Sequence, residues 1–349
     1  MRQDLLFSLL MLGLVTGSLA NPTLPRAVFE LHRAADAVSQ VQPSSSSGAL
    51  ASWDFGYASM LNAQASFEPV VIDAYIYLPG GLSYSGSTPY FATTQQRYSP
   101  KEDSWQSLPS FPGAVPTTFA IAGSPSASSP AIYYFQYDYI WRYDVPSANW
   151  STLSWGSINP LLNPATATSG SSIYLVGGNS LVNPSDFSSF LRYDPSSNSF
   201  AHLPSLPVGR LGVLACTVGQ RIYAVGGLVE DSNNPSNIST YPFIDWYDIQ
   251  EGLWSTSTST AMPFYPGSSV RLRALGVACT SDLVYVFFGM SFVQSYNPTT
   301  HQWLVVSSQT PAHDIGVYFG VTTFGQEIFL FGGYSAGNVT SDVVQFIPS

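Results

Sequence analysis

The residues best suited to bind a ligand through charge are two arginines that stand at the same distance before a cysteine. Arg210 lies six residues before Cys216, and Arg273 lies six residues before Cys279. Each arginine leads into a short apolar run. A guanidinium presents its N–H donors in a planar fork, which suits it to hold carboxylate and hydroxyl groups. The matched spacing predicts two equivalent positions in the fold.

The sequence carries no recognisable catalytic motif. It has no nucleophile elbow, no His-Glu helix motif, no phosphate loop, no calcium loop and no pair of cysteines two residues apart. The four histidines, His32, His202, His301 and His313, stand apart from one another. Because a copper site needs two or more imidazoles placed together, we expect no metal site, and no other cofactor is indicated.

Charge limits the classes of partner. Charged residues make up 9% of the 349 residues, the formal net charge is -10, and Lys101 is the only lysine. Nucleic acids and anionic membrane surfaces are bound by clusters of lysine and arginine. The composition therefore argues against both as partners.

The elements that must position these residues are short apolar runs that recur about every fifty residues. Four of them end in a double glycine, namely AYIYLPGG, SSIYLVGG, RIYAVGG and EIFLFGG, and two are degenerate copies, AIYYFQY and LVYVFFGM. An aromatic residue at a strand-to-turn boundary follows each run. In five units a second aromatic stands seven residues later: Trp105, Trp150, Phe200, Trp254 and Trp303. This pattern predicts four strands in each unit.

The pattern resembles the kelch repeat, whose units carry a double glycine after an apolar strand and then a tyrosine and a tryptophan at set spacing. The resemblance covers residues 49 to 349 and implies an all-β fold, a six-bladed β-propeller with four-stranded blades. Two glycines in a row allow a turn with positive φ and close packing after the strand. The second and fifth units carry Gln136-Tyr137 and Gly289-Met290 instead, so these blades must turn differently.

The two ends of the chain predict how the ring closes. The sixth unit stops at Ser349, before the position seven residues after Phe346. Trp53, near the other end, precedes the first unit as the other aromatics precede theirs. Since propellers avoid an unpaired sheet edge, we expect the strand around Trp53 to complete the last blade.

The resemblance also implies a place for a ligand. In kelch propellers an arginine at the head of an inner strand points toward the mouth of the central channel and often contacts the ligand, and Arg210 and Arg273 match this position. Long loops in the first, third, fourth and sixth units rise on the same face. The alternative is that the arginines cap carbonyl groups or pair with Asp314. The residues near the corresponding places in other blades are Gln64, Asn163, His313 and Asp314.

Cys216 and Cys279 are the only cysteines in the chain. Side chains at equivalent positions on neighbouring inner strands point the same way around the ring, and not toward each other. We therefore expect two buried, unpaired thiols. A disulfide is the alternative, because an exported protein could form one.

Residues 1 to 20 have the features of a secretory signal. Arg2 supplies a positive start, the stretch from Leu5 to Val15 is apolar, and Ala20 ends a small-residue cleavage pattern. An uncleaved anchor is the alternative, but the apolar run is shorter than the roughly 20 residues that span a bilayer. The sequence therefore predicts export.

Two further features fit an exported protein. Residues 21 to 48 end in a Pro, Ser and Gly run that predicts a flexible leader and linker. Glycosylation acceptors occur at Asn149, Asn237 and Asn338. Together with the signal they predict a secreted glycoprotein.

Two functions remain open. The first is a secreted binding module for a carbohydrate, for another small molecule or for an extracellular protein. The second is an enzyme that acts on a sugar or a small secondary metabolite at the same channel mouth. The exported sialic acid mutarotases built on kelch propellers have a similar size, a signal peptide and arginines around the channel, which keeps the enzyme open. The fold alone cannot decide between the two functions. The lack of a recognisable set of catalytic residues favours the binding module.

Overall fold

The computed structural model describes residues 51–85, 88–112, 119–124, 129–136, 138–179, 187–231, 234–257, 262, 276–307, 313, 315–335 and 338–348. The regular structure in this part of the chain is β-strand throughout, arranged in six four-stranded antiparallel sheets and two small hairpins. The prediction of an all-β, six-bladed propeller is confirmed.

Each blade counts its strands outward from the central axis. Blade 1 consists of β2 (Val70–Ile72), β3 (Tyr75–Ser85), β4 (Thr88–Ser99) and β5 (Ser104–Leu108). Blade 2 consists of β6 (Phe119–Ser124), β7 (Ala131–Gln136), β8 (Ile140–Asp144) and β9 (Asn149–Leu153). Blade 3 consists of β10 (Ala165–Ser169), β11 (Ser172–Val176), β12 (Phe190–Asp194) and β13 (Ser199–His202). Blade 4 consists of β14 (Leu214–Val218), β15 (Arg221–Val225), β18 (Ile244–Asp248) and β19 (Leu253–Thr256). Blade 5 consists of β20 (Gly276–Cys279), β21 (Val284–Phe287), β22 (Val293–Asn297) and β23 (Gln302–Ser307). Blade 6 consists of β24 (Gly320–Phe324), β25 (Glu327–Phe331), β28 (Val343–Ile347) and β1 (Ser52–Asp54).

The connections between second and third strands differ in length, as the sequence predicts. Blade 1 extends β3 and β4 into one long hairpin, blade 4 inserts β16 (Leu228–Asp231) and β17 (Asn234–Thr240), and blade 6 inserts β26 (Tyr334–Ser335) and β27 (Asn338–Val339). Because strands in a blade are antiparallel, these connections lie at the end of the ring where the inner strands begin. We call this end the mouth face.

The short connections in blades 2 and 5 turn differently from the others. In blade 2 the Gln136 N–H donates to Tyr139 O at 3.1 Å, and in blade 5 the Phe288 N–H donates to Phe292 O at 2.9 Å. In blade 3, by contrast, the double glycine has positive φ, and a Cβ added to Gly178 would lie 2.7 Å from a backbone oxygen. Glycine is required there both for conformation and for space.

The repeated aromatic spacing corresponds to one position in the sheet. In every blade the boundary aromatic of the third strand lies directly opposite the aromatic of the fourth strand. The pairs are Tyr98 with Trp105, Tyr143 with Trp150, Tyr193 with Phe200, Tyr247 with Trp254, Tyr296 with Trp303 and Phe346 with Trp53. Cross-strand aromatic pairs stabilise a sheet and fill the space toward the neighbouring blade.

The ring is closed by the N-terminal strand, as predicted. Strand β1 pairs with β28, and the ring centroids of Trp53 and Phe346 lie 4.8 Å apart. The Ala51 N–H also donates to Val306 O in blade 5 at 3.0 Å. The first described residues thus tie blade 6 to its neighbour.

Candidate functional site

A cavity of about 490 Å³ lies where the inner strands of all six blades meet. Its wall consists of β2, β6, β10, β14, β20 and β24 together with the residues that lead into them. Most of the lining side chains are small: alanine, glycine, valine and threonine. Small side chains at the inner edge leave room for the cavity on the propeller axis.

Glu68 is the only ionisable side chain among the lining residues that the structure describes. It stands two residues before β2, at the mouth face. The strand registers align the blades and show that the equivalent positions are uncharged in the other five. Those positions are Ala120, Ala165, Leu214, Gly276 and Gly320. Glu68 therefore breaks the internal repeat at the cavity wall.

The Glu68 carboxyl group has few partners. Its Oε2 accepts a hydrogen bond from the Ile121 N–H at 3.1 Å. The Thr166 hydroxyl lies 3.4 Å from the same oxygen but 2.6 Å from Ile121 O, so its single proton goes to the carbonyl. In the described part of the chain no arginine, lysine or histidine forms an ion pair with Glu68.

Enclosure by protein changes the acidity of this group. Desolvation raises the pKa of Glu68 to about 7, and the hydrogen bond from the Ile121 N–H offsets only part of that rise. The side chain is nevertheless exposed to the cavity. A carboxyl group in this state can both accept and donate a proton near neutral pH.

Threonine side chains lie at the other end of the cavity. Thr168, Thr217 and Thr323 occupy equivalent positions on three inner strands. Thr168 Oγ1 donates to Gly123 O at 3.0 Å, whereas Oγ1 of Thr217 and Oγ1 of Thr323 have no hydrogen-bond partner. Both of these oxygen atoms are buried, so it is the rest of each threonine side chain that lines the cavity.

Cys216 and Cys279 form a disulfide, with their Cα atoms 5.8 Å apart, so the prediction of free thiols is wrong. The two positions are not equivalent. Cys216 aligns with Ala278, and Cys279 aligns with Thr217. An offset of one residue turns a side chain to the opposite face of a strand, so the two sulfur atoms meet between blades 4 and 5.

Arg210 lies sealed inside blade 4. Its guanidinium forms an ion pair with Asp245, and both side chains are 0% exposed. It also lies 4.1 Å from the centroid of the Tyr241 ring, and its Nη2 donates to Ala224 O at 3.5 Å. Asp245 in turn accepts from Thr256 Oγ1 at 2.5 Å. These contacts match the structural alternative, with Asp245 as the partner, and ligand contact by Arg210 stays a prediction.

Two further predicted residues, Arg273 and Asp314, lie outside the described residues. Gln64 is described. The β-bridges that open blades 1 and 4 place it at the position equivalent to Arg210. Its side chain is fully buried, and neither atom of its amide has a hydrogen-bond partner. Gln64 does not line the axial cavity.

Asn163 occupies a turn position and is not equivalent to Arg210. It has a φ of 49°, and the equivalent residues Ser66, Gly212 and Tyr318 have φ between 54° and 61°. All four stand one residue after the β-bridge that opens the blade. Asparagine tolerates this left-handed conformation, which gives it a local structural role.

His313 is exposed on the mouth face, outside the cavity wall. Its Nε2 lies 3.0 Å from Asp342 Oδ2, and its side chain is 59% exposed. The ring of Phe55 meets it edge-on at 5.6 Å between centroids. The described contacts of His313 are thus with Asp342 and Phe55, and none is with Arg210 or Gln64.

The predicted glycosylation acceptors lie on strands. Asn149 begins β9 and Asn338 begins β27, and both are exposed, while Asn237 belongs to β17. Modification of these residues stays a prediction. In the described ranges, no three His, Cys, Asp or Glu side chains gather as metal ligands would, and no helix has the length and apolar character to cross a membrane.

Sequence reasoning missed Glu68. A carboxylate directly before the first inner strand was a usable signal, because only 9% of the residues are charged. The signal became clear only when the strand registers showed that its five equivalents are uncharged.

Comparisons with known proteins agree with this architecture. The Kelch motif family model matches residues 160–207. Kelch-like protein 35 of Mus musculus is 24% identical over 254 residues, covering 72% of this chain and 41% of that protein. Kelch-like protein terF of Aspergillus terreus is 26% identical over 248 residues, covering 65% of this chain and 52% of that protein. This chain thus spans about half or less of the length of these relatives.

The solved structure of YjhT superposes with a TM-score of 0.59 at 13% identity, covering 82% of this chain and 95% of that one. At this identity the likeness concerns the fold. The motif match, the relatives and the six blades together support a kelch-repeat β-propeller family for this chain.

Proposed function

We propose that this propeller is a secreted binding protein that holds a small hydroxyl-rich ligand, of carbohydrate type, in the axial cavity at its mouth face. The observation that carries the proposal is Glu68, a carboxyl group without a cationic partner in the described residues, exposed in that cavity. Kelch propellers are scaffolds for binding and in some cases for catalysis, so the site and not the fold must define the function.

The cavity has the size and chemistry for such a ligand. Its volume of about 490 Å³ falls within the range of small-molecule sites. Glu68 offers strong acceptors at the mouth-face end of the cavity. A polyhydroxylated molecule presents matching donors and acceptors along its length.

The predicted export is supported by the cysteines. Disulfides persist in oxidising compartments and are rare in the cytosol, and this chain joins its two cysteines. The exposed Asn149 and Asn338 would be accessible to glycosylation along the same route.

The test is ligand-observed NMR with a panel of neutral mono- and disaccharides against wild type and Glu68→Gln. Hydrogen bonds to a charged group contribute about 1.5–3 kcal/mol, so the variant should bind the best panel member at least about tenfold more weakly. Asp342→Asn makes the same carboxyl-to-amide change at a residue outside the cavity wall and should bind like wild type. Saccharide binding that Glu68→Gln leaves unchanged would move the site elsewhere.

The second candidate is an enzyme that acts on a sugar or small secondary metabolite at the same site. It is favoured by one observation, the rise of the Glu68 pKa to about 7, which suits a general acid and base. Exchange between anomers followed by NMR separates the two functions. Catalysed exchange that Glu68→Gln abolishes supports the enzyme, and binding without exchange supports the binding protein.

A further inference from the structure

The described wall of the axial cavity carries negative charge and no positive charge. Glu68 is its only ionisable residue, and the net charge of the chain is -10. A cavity with low-dielectric walls concentrates the field of such a group and raises the local concentration of oppositely charged ligands. The potential set up by the described wall therefore attracts cations and repels anions.

We propose that the ligand of the axial cavity is cationic, a sugar or polyol that carries a protonated amine, and that Glu68 pairs with its ammonium group. This inference rests on the proposed function, because it names the class of ligand for the same site. It reverses the expectation, drawn from Arg210 and Arg273, of a ligand held by cationic side chains.

The geometry of the carboxyl group fits an ammonium partner. Oε2 takes the Ile121 N–H, while Oε1 has no donor in the described part of the chain. An ammonium group has three donors and no acceptor. One donor satisfies Oε1, and the edges of the inner strands, which pair only with their second strands, present backbone carbonyls for the others.

The internal repeat shows that the fold does not need this charge. Five of the six blades build the same part of the inner strand with an alanine, a leucine or a glycine. An enclosed carboxylate without a cation costs folding free energy. A residue that breaks a local rule at such a cost is expected at a functional site.

Pairing of Glu68 with a cationic ligand should change its protonation. Glu68 is partly protonated near pH 7, and an ammonium group beside it favours the ionised form. Binding should therefore release protons near neutral pH. The described residues of the six inner strands add no other titrating group to the cavity wall, since Cys216 and Cys279 are joined as a disulfide.

The experiment uses three probes with the same six-carbon chain: D-glucamine, which is cationic, D-sorbitol, which is neutral, and D-gluconate, which is anionic. Each is titrated calorimetrically into wild type, Glu68→Gln and Asp342→Asn at low salt and neutral pH, in two buffers with different ionisation enthalpies. Asp342→Asn is the matched control, because it also replaces one carboxyl group by an amide, at a partly exposed site outside the cavity wall.

We expect wild type to bind glucamine at least about tenfold more tightly than sorbitol, with gluconate weakest, and to release protons on binding glucamine. Glu68→Gln should abolish both the preference and the proton release, and Asp342→Asn should keep both. Equal binding of sorbitol and glucamine that depends on Glu68 overturns the cationic ligand but leaves the proposed function standing.

Two other results overturn the inference. Tightest binding of gluconate, lost in Arg273→Ala, would restore the arginine-based prediction. A glucamine preference that persists in Glu68→Gln would place the cation site elsewhere. Absence of Glu68-dependent binding for all three probes, together with no hit in the neutral saccharide panel, would reject the proposed function as well.

Discussion

The buried ion pair in blade 4 and the carboxyl group on the propeller axis differ in their surroundings. Inside blade 4, Arg210 and Asp245 neutralise each other, have further hydrogen bonds and are sealed from solvent. On the axis, Glu68 has no cationic partner in the described residues and is exposed in a cavity. A charge that is neutralised and sealed is tolerated within the fold, whereas a charge left open to a cavity is available to a ligand.

Blade 1 supports the structural role of the sealed pair. Gln96 occupies the position equivalent to Asp245, two residues before the boundary aromatic of the third strand. Its Oε1 accepts from the Leu61 N–H at 2.9 Å, and its Nε2 donates to Asn62 O at 3.1 Å. In both blades a polar third-strand residue thus holds the segment that leads into the inner strand, and in blade 4 that segment carries Arg210.

The largest effect should come from breaking the sealed pair. Asp245→Ala leaves the Arg210 guanidinium buried without its counter-charge, so the free energy of unfolding should fall by about 3–5 kcal/mol in urea denaturation. Replacing both partners, with Arg210→Met and Asp245→Leu together, should cost much less because no charge is orphaned. A loss below about 1 kcal/mol for Asp245→Ala would contradict the structural role.

Removing the disulfide should have the next largest effect on the free energy of unfolding. The bond lines the same cavity as Glu68, but its role is to cross-link the fold. Its cysteines are 63 residues apart. Loop-closure entropy for such a span predicts that Cys216→Ala with Cys279→Ala lowers the free energy of unfolding by about 2–4 kcal/mol. Each single variant should lose a similar amount, since either one removes the cross-link. Denaturation curves that coincide with and without reductant would show that the bond adds no stability.

The effect of Glu68→Gln on stability should be smaller, because the side chain is exposed in the cavity and solvent screens its charge, and its sign should be opposite. Burial raises the folded-state pKa from 4.5 to about 7, so ionising Glu68 opposes folding. Below about pH 4.5 the carboxyl is protonated in both states and the variant should match wild type. As the pH rises from about 4.5 to about 7, wild type should lose stability relative to the variant, and above that range the difference should stay constant.

Urea midpoints of both proteins at about pH 4, 6 and 8 measure this difference. A variant that is less stable than wild type at the highest pH would mean that ionised Glu68 contributes to folding. In that case the contrast between the sealed pair and the open carboxyl would disappear.

Much of the fold could be predicted because its signals are local. The seven-residue aromatic spacing spans one tight turn, so it translates directly into opposed residues such as Tyr98 and Trp105. The unmatched Trp53 indicated the closing strand for the same reason. Double glycines marked turns that need positive φ, as at Gly177 and Gly178.

The sequence was thus sufficient to predict the six blades, their strand order and the ring closure. Each of these follows from short-range spacing that repeats along the chain. The disulfide and the site depended on distances between blades. An offset of one residue decided that Cys216 faces Cys279. The hairpin between β15 and β18 separates Arg210 from Asp245 in the sequence, so their pairing could not be predicted from local spacing. Glu68 became a candidate only when six inner strands, far apart in sequence, enclosed it and raised its pKa by desolvation, which is a property of the assembled ring.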